Sequence, residues 1–143
     1  MTVDILNWDK YATDPVVLAY KQAVEAFQGS ANMGKLAPGF TDLFAASMHS
    51  SLVSSLEFGW HNKLHMPVTA KFRIASVKTH GHRASLTSCA WGPSYGYYDK
   101  QNKWYGPAQH YWLRFSTNLR NAQGSWKITG TKSTGKCQGG APR

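Results

Sequence analysis

The stretch PVTAKFRIASVKTHGHRASLTSCAW, residues 67–91, breaks with the helical spacing that precedes it and takes up a period of two. Val68, Ala70, Phe72 and Ile74 alternate with Thr69, Lys71, Arg73 and Ala75, which is the pattern of a strand with one face buried. His80-Gly81-His82 supplies a tight turn, so Arg83 to Trp91 reads as the antiparallel partner, with Ala84 and Leu86 turned toward the core. A sheet with one apolar face is thereby specified, and the rest of the chain must cover that face.

Before this stretch the period is 3.6. Asp14-Pro15 opens a helix, because Asp accepts from the free N–H groups of the first turn and Pro loses nothing at the first helical position. Val16, Ala19, Tyr20, Ala23 and Phe27 line its buried face, Gln28 points away, and Gly29 is its expected stop. A second helix, capped by Thr41 or Asp42 and stopped by Gly59, carries the stripe Ala45, Met48, Leu52 and Leu56, with Phe44 and Val53 beside it. Residues 1–13 have no period and read as an extended arm pinned by Leu6, Trp8 and Tyr11.

After Trp91, residues 92–107 hold Tyr95, Tyr97, Tyr98, Trp104 and Tyr105 around a polar turn, and a long hairpin is expected, with an aromatic loop over the sheet edge as the alternative. Tyr111, Leu113, Phe115, Thr117 and Leu119 form the inner face of a further strand. Asn121 to Gly124 is a turn, Trp126 and Ile128 face inward on the last strand, and the chain beyond Thr134 reads as loop. The 143 residues are 42% apolar and 13% aromatic, enough for one core, and an α+β class follows.

Sixteen Lys and Arg face seven Asp and Glu, a formal charge of +9, so the surface attracts anions. With seven carboxylates, paired-carboxylate hydrolysis is disfavoured. Two cysteines without CxxC or HExxH spacing make a poor metal site. Cys89 and Cys137 are better read as a disulfide, which implies an oxidising, extracytoplasmic or secreted setting, and two free buried thiols are the alternative. Residues 1–10 lack the layout of a signal peptide, so a mature or trimmed chain is expected.

The helices-then-sheet order, with DPVVLAY at 14–20, RASLTSC at 83–89, GSWKI at 124–128 and a Cys shortly after, resembles the NTF2-like, or SnoaL-like, superfamily. More narrowly it resembles small actinobacterial extracytoplasmic and lipoprotein-type domains. The resemblance implies a cone-shaped fold over residues 14–137, between the arm at 1–13 and a tail at 138–143. It implies a pocket between helices and sheet, in which enzymes of the superfamily move protons with an Asp and a His or Tyr. No Asp falls on the inner parity of any strand here, which departs from those enzymes.

His49, at the edge of the second helix's stripe, is the candidate catalytic group, with a structural histidine as the alternative. Tyr20, Phe44 and Tyr111 are the candidate pocket residues, and core packing accounts for them equally. On the outer parity of the sheet stand Lys71, Arg73, Arg83, Arg114 and Lys127, with His110 and Trp112. Such a face could hold an anionic polymer, a lipid surface or nucleic acid, or be solvated with Trp112 covered by the tail or by the Tyr-rich hairpin. The Tyr-rich segment could be a contact surface, and His80 with His82 is too sparse for a metal.

No cofactor is implied. The expected function is a non-catalytic extracytoplasmic domain that binds a small apolar ligand in the cone or an anionic partner on the basic face. The alternatives are an isomerase, dehydratase or cyclase of the SnoaL or ketosteroid isomerase type, and a nucleic-acid or conjugation-associated module. A homodimer through the outer face is opposed by its like charges.

Overall fold

The computed structural model describes residues 2–107 and 109–143, so Met1 of the expected arm lies outside the described residues. Four helices, α1 (Trp8–Tyr11), α2 (Pro15–Met33), α3 (Phe40–Leu43) and α4 (Ala46–His61), pack against one five-stranded sheet. Its strands β1 (Thr2–Ile5), β2 (Thr69–His80), β3 (Arg83–Trp91), β4 (Trp112–Ala122) and β5 (Ser125–Cys137) lie in sequence order. All neighbours are antiparallel except β1, which runs parallel to β2. This is the α+β arrangement of helices on a largely antiparallel sheet that the sequence implied.

Asp14 caps α2 as expected, with its Oδ1 accepting from the amides of Val16 at 2.9 Å and Val17 at 3.4 Å. The helix does not stop at Gly29. It continues to Met33 and ends at Gly34, whose φ of +72° is the left-handed conformation glycine accepts without strain. Gly29 is instead a buried helical residue, and Gln28, expected to face water, is fully buried. The second long helix starts at Ala46 rather than at Thr41 or Asp42, because Phe40–Leu43 forms its own short turn and Phe44 is extended. Gly59 also lies inside a helix; a Cβ there would come within 2.9 Å of the Tyr97 ring, so close packing accounts for it.

Residues 2–5 are not a loose arm. Val3 and Ile5 are buried as part of the sheet edge, whereas Leu6, expected to pin the segment, is exposed. Glu25 of α2 accepts from the Val3 amide at 3.0 Å, and the Asn7 side chain bonds both backbone groups of Ile74. The edge strand is thus held from the helix side and from the sheet side, so the division at residue 14 separates nothing here. Val68, expected to face inward, precedes the strand and is 73% exposed.

Ala70, Phe72, Ile74, Ala84, Leu86, Leu119 and Ile128 all turn inward onto α2, whose Val16, Val17, Tyr20 and Ala23 meet them. Irregularities at Ile74/Ser76, Arg114/Phe115 and Asn118/Leu119 bend the sheet around the helices. Two-residue turns close both long hairpins: Gly81-His82, and Gln123-Gly124 with φ of +57° and +83°. The Tyr-rich segment is not a regular hairpin. A short helical turn at Gly92–Ser94 leads into a loop with the isolated bridge Tyr98↔Trp104, and Asp99 accepts from the amides of Gln101 and Lys103.

Cys89 and Cys137 form a disulfide. It fixes the end of β5, which runs to Cys137 and not only to Thr134, and from there the tail turns back over the sheet. Converting both cysteines to serine should lower unfolding free energy by about 4 kcal/mol from the chain entropy of the 48-residue separation. Urea denaturation of the oxidised protein and the double variant measures this, and a loss below about 1 kcal/mol would contradict the structural role given to the bond.

Candidate functional site

Two regions could carry function: the cavity between helices and sheet, and the outer sheet face. The cavity holds about 100 Å³, walled by Tyr20, Val24 and Phe27 of α2, Phe44 and Leu52 near α4, and Phe72, Phe115 and Ile128 of the sheet. Tyr95 and Thr131 complete it. Typical small-molecule pockets are roughly 300–1,000 Å³, so this space suits at most a fragment of a few atoms without movement of its walls.

Its polar groups are phenols and hydroxyls. Tyr20 Oη and Ser88 Oγ are 2.7 Å apart in a buried hydrogen bond. Burial raises the Tyr20 pKa well beyond the ordinary phenol range; the Ser88 bond pulls it down and Tyr95 adds to the rise. Tyr95, packed edge-on against Phe72 and Phe115, is pushed up to about 12 by burial, with Tyr97 adding to it. Both phenols therefore stay protonated at neutral pH, and no carboxylate or imidazole stands among the cavity residues just named to accept a proton.

The sequence-predicted cavity residues divide. Tyr20 and Phe44 line the space, but Tyr111 does not; it precedes β4 and lies under the Lys136 ammonium, 4.0 Å from its ring centre. His49 is also elsewhere. Its Nε2–H donates to the carbonyls of Phe44 at 2.9 Å and Thr41 at 3.2 Å, because carbonyls only accept. That ring ties α4 to the α3 turn, and a catalytic role in the cavity has no geometric basis.

On the outer face the structure regroups the predicted cations. Lys71 Nζ is 2.5 Å from Asp4 Oδ2 of the edge strand, so its charge is neutralised locally. Arg73 lies over the Trp112 ring at 4.8 Å and donates to the Gln138 carbonyl. Trp112 is only 1% exposed: its Nε1–H donates to Gly140 O at 2.8 Å, and Trp91 packs beside it. The tail thus covers Trp112, which is the alternative the sequence offered to a ring open to a partner. Arg114 is held by two bonds to Thr134.

Arg83 and Lys127 behave differently, and the structure joins them to residues the sequence reading missed. Cross-strand register runs His80↔Arg83, Arg83↔Arg120 and Arg120↔Lys127, so four basic side chains form one row across β2 to β5. The next rows outward-facing on the sheet hold Lys78, Ser85 and Asn118, then Ser76, Thr87, Ser116 and Lys132. Arg120 was legible from the alternation that places Leu119 inside. Lys132 was not, because the irregularity at Asn118/Leu119 resets the parity of β5.

Charge is sharply divided along the chain. Residues 1–65 carry four Lys and six Asp or Glu; residues 66–143 carry twelve Lys or Arg and one acid, Asp99. Asp99 caps its own turn beyond Trp91, at the end of β3 opposite Arg83. Among the described residues, none of Arg83, Arg120 and Lys127 has an ion-pair partner.

No family model and no curated protein matches the chain. Among solved structures it is similar to the intermembrane space region of the chloroplast protein ARC6, with 12% identity, a TM-score of 0.47, and coverage of 83% of this chain and 96% of that one. It is also similar to an NTF2-like protein of unknown function from Shewanella baltica OS155, with 12% identity, a TM-score of 0.46, and coverage of 92% and 98%.

The buried phenols predict a pH response. Their folded-state pKa values lie above the ordinary 10.0, so their contribution to stability is complete below pH 10 and declines as pH rises above it, through about 12 for Tyr95 and at still higher pH for Tyr20. The urea midpoint should fall across that window, and Tyr20→Phe should flatten the fall. An unchanged slope in this variant would contradict the buried, protonated state of Tyr20.

Proposed function

We propose that this chain is a non-catalytic binding domain that works in an oxidising, extracytoplasmic setting and holds an anionic partner on the outer face of its sheet. The observation that carries this reading is the composition of β2 to β5: nine Lys or Arg and no Asp or Glu. Cations placed side by side at about 5 Å repel by up to about 1 kcal/mol even in water, so an anion on the face relieves a standing cost. The Cys89–Cys137 disulfide is compatible with the compartment.

The enzyme alternative lacks support, because His49 is committed to backbone carbonyls and the cavity offers phenols with raised pKa values. A small apolar ligand in the cone is limited by the space of about 100 Å³. Pairing of two copies through the outer face would bring two like-charged rows together, which disfavours it.

The reading predicts binding to a sulfated or phosphorylated polymer that weakens on the order of tenfold or more between 50 and 200 mM salt. Arg83→Glu with Arg120→Glu should abolish most of that binding. Lys10→Glu with Lys35→Glu changes net charge equally on exposed helix-side positions and should leave most of it. Equal losses in the two variants would show that net charge alone, and not the sheet face, attracts the polymer.

A further inference from the structure

Within that binding reading, on which this rests, we infer that Arg83 and Arg120 form a phosphate clasp for a base-free polyphosphate chain, with His80 and Lys127 extending the row. The two arginines are directly opposed across β3 and β4. They border an open depression of about 420 Å³ together with Asn118 and Thr129. Thr129 Oγ1 donates to the Asn118 carbonyl, which fixes the backbone beneath the depression.

The chemistry of the row selects the ligand. Guanidinium groups present forked N–H donors that match two oxygens of one phosphate, which an ammonium cannot do. Strands spaced about 4.8 Å apart set Arg83, Arg120 and Lys127 along roughly 10 Å, a line of charge and not a single point, with the His80 ring as a further hydrogen-bonding group at its end. A chain of phosphates can follow that line, bonding the side chain that each strand presents in turn.

What the face lacks disfavours nucleic acid and lipid. Among the described residues, the rows beside the clasp contain Lys78, Ser85, Asn118 and Thr87 and no Phe, Tyr or Trp for a nucleic-acid base to stack on, and His80 gives the row itself a single small ring. Trp112, the aromatic on this face of β4, is sealed under the tail at the other end of the strand. No large apolar side chain projects there to enter a bilayer, since the exposed ones are Leu6, Leu18, Met33, Phe58, Val68 and Tyr105, outside these rows. A ligand that is all phosphate, without bases or acyl chains, loses nothing on such a surface.

The test uses linear inorganic polyphosphate, single-stranded DNA of equal phosphate number and vesicles rich in anionic lipid, titrated into the full chain by calorimetry. Arg83→Lys with Arg120→Lys keeps every charge and removes both forks; circular dichroism and the unfolding midpoint check that it folds as the native protein does. Expected is binding of polyphosphate more tightly than DNA or vesicles, weakened on the order of tenfold in the lysine variant. Equal affinity of the lysine variant would overturn the clasp while leaving charge-driven binding intact. Tighter binding of DNA or of vesicles would overturn the ligand class, and no binding of any of the three would overturn both the clasp and the function it rests on.

Discussion

A β-strand has two faces and a side chain can occupy only one of them, so committing one parity of β2 to β5 to α2 commits the other parity to water. Tyr20, Val17 and Ala23 of α2 meet Phe72, Leu86 and Ile128 on the inner face, and the Tyr20–Ser88 bond ties the helix to β3 inside that contact. This packing fixes the register of every strand that follows. The row His80, Arg83, Arg120 and Lys127 is therefore a consequence of the core, since a slip of one residue would drive these polar side chains inward and turn the apolar set to solvent.

The two ends of the outer face are used differently. At one end Asp4, the tail and Thr134 occupy Lys71, Arg73 and Arg114, and the disulfide holds the tail where it covers Trp112. These residues are satisfied within the chain. At the other end the hairpin turns leave Arg83, Arg120 and Lys127 beside one another without a carboxylate, and the division of charge between the helical and sheet parts concentrates the field there.

Much of this was legible in the sequence. The period of two in residues 67–91, the cap at Asp14 and the turn glycines Gly81 and Gly124 each rest on local stereochemistry, and they placed the sheet and the start of the first helix. The helix ends were not legible, because Gly29 is buried within α2 and Gly59 packs against the Tyr97 ring where a stop was expected, a distinction that needs the neighbouring element. The edge strand was missed because its partner lies 67 residues away and runs parallel, so no turn announces it. At the surface, alternation put Arg83 and Lys127 on one face, but which cations are free depends on Asp4, Thr134 and the tail. His49 and Tyr111 failed as cavity residues for a related reason: their positions are set by the α3 turn and by the start of β4, where periodicity ends.

The most direct measurement is a backbone amide chemical-shift map of the labelled protein during titration with tripolyphosphate. Shifts should concentrate at Arg83, Asn118, Arg120 and Lys127 while the amides of Tyr20, Phe72 and Tyr95 stay in place. Shifts centred on the cavity residues, or on the helices with the row unmoved, would contradict it.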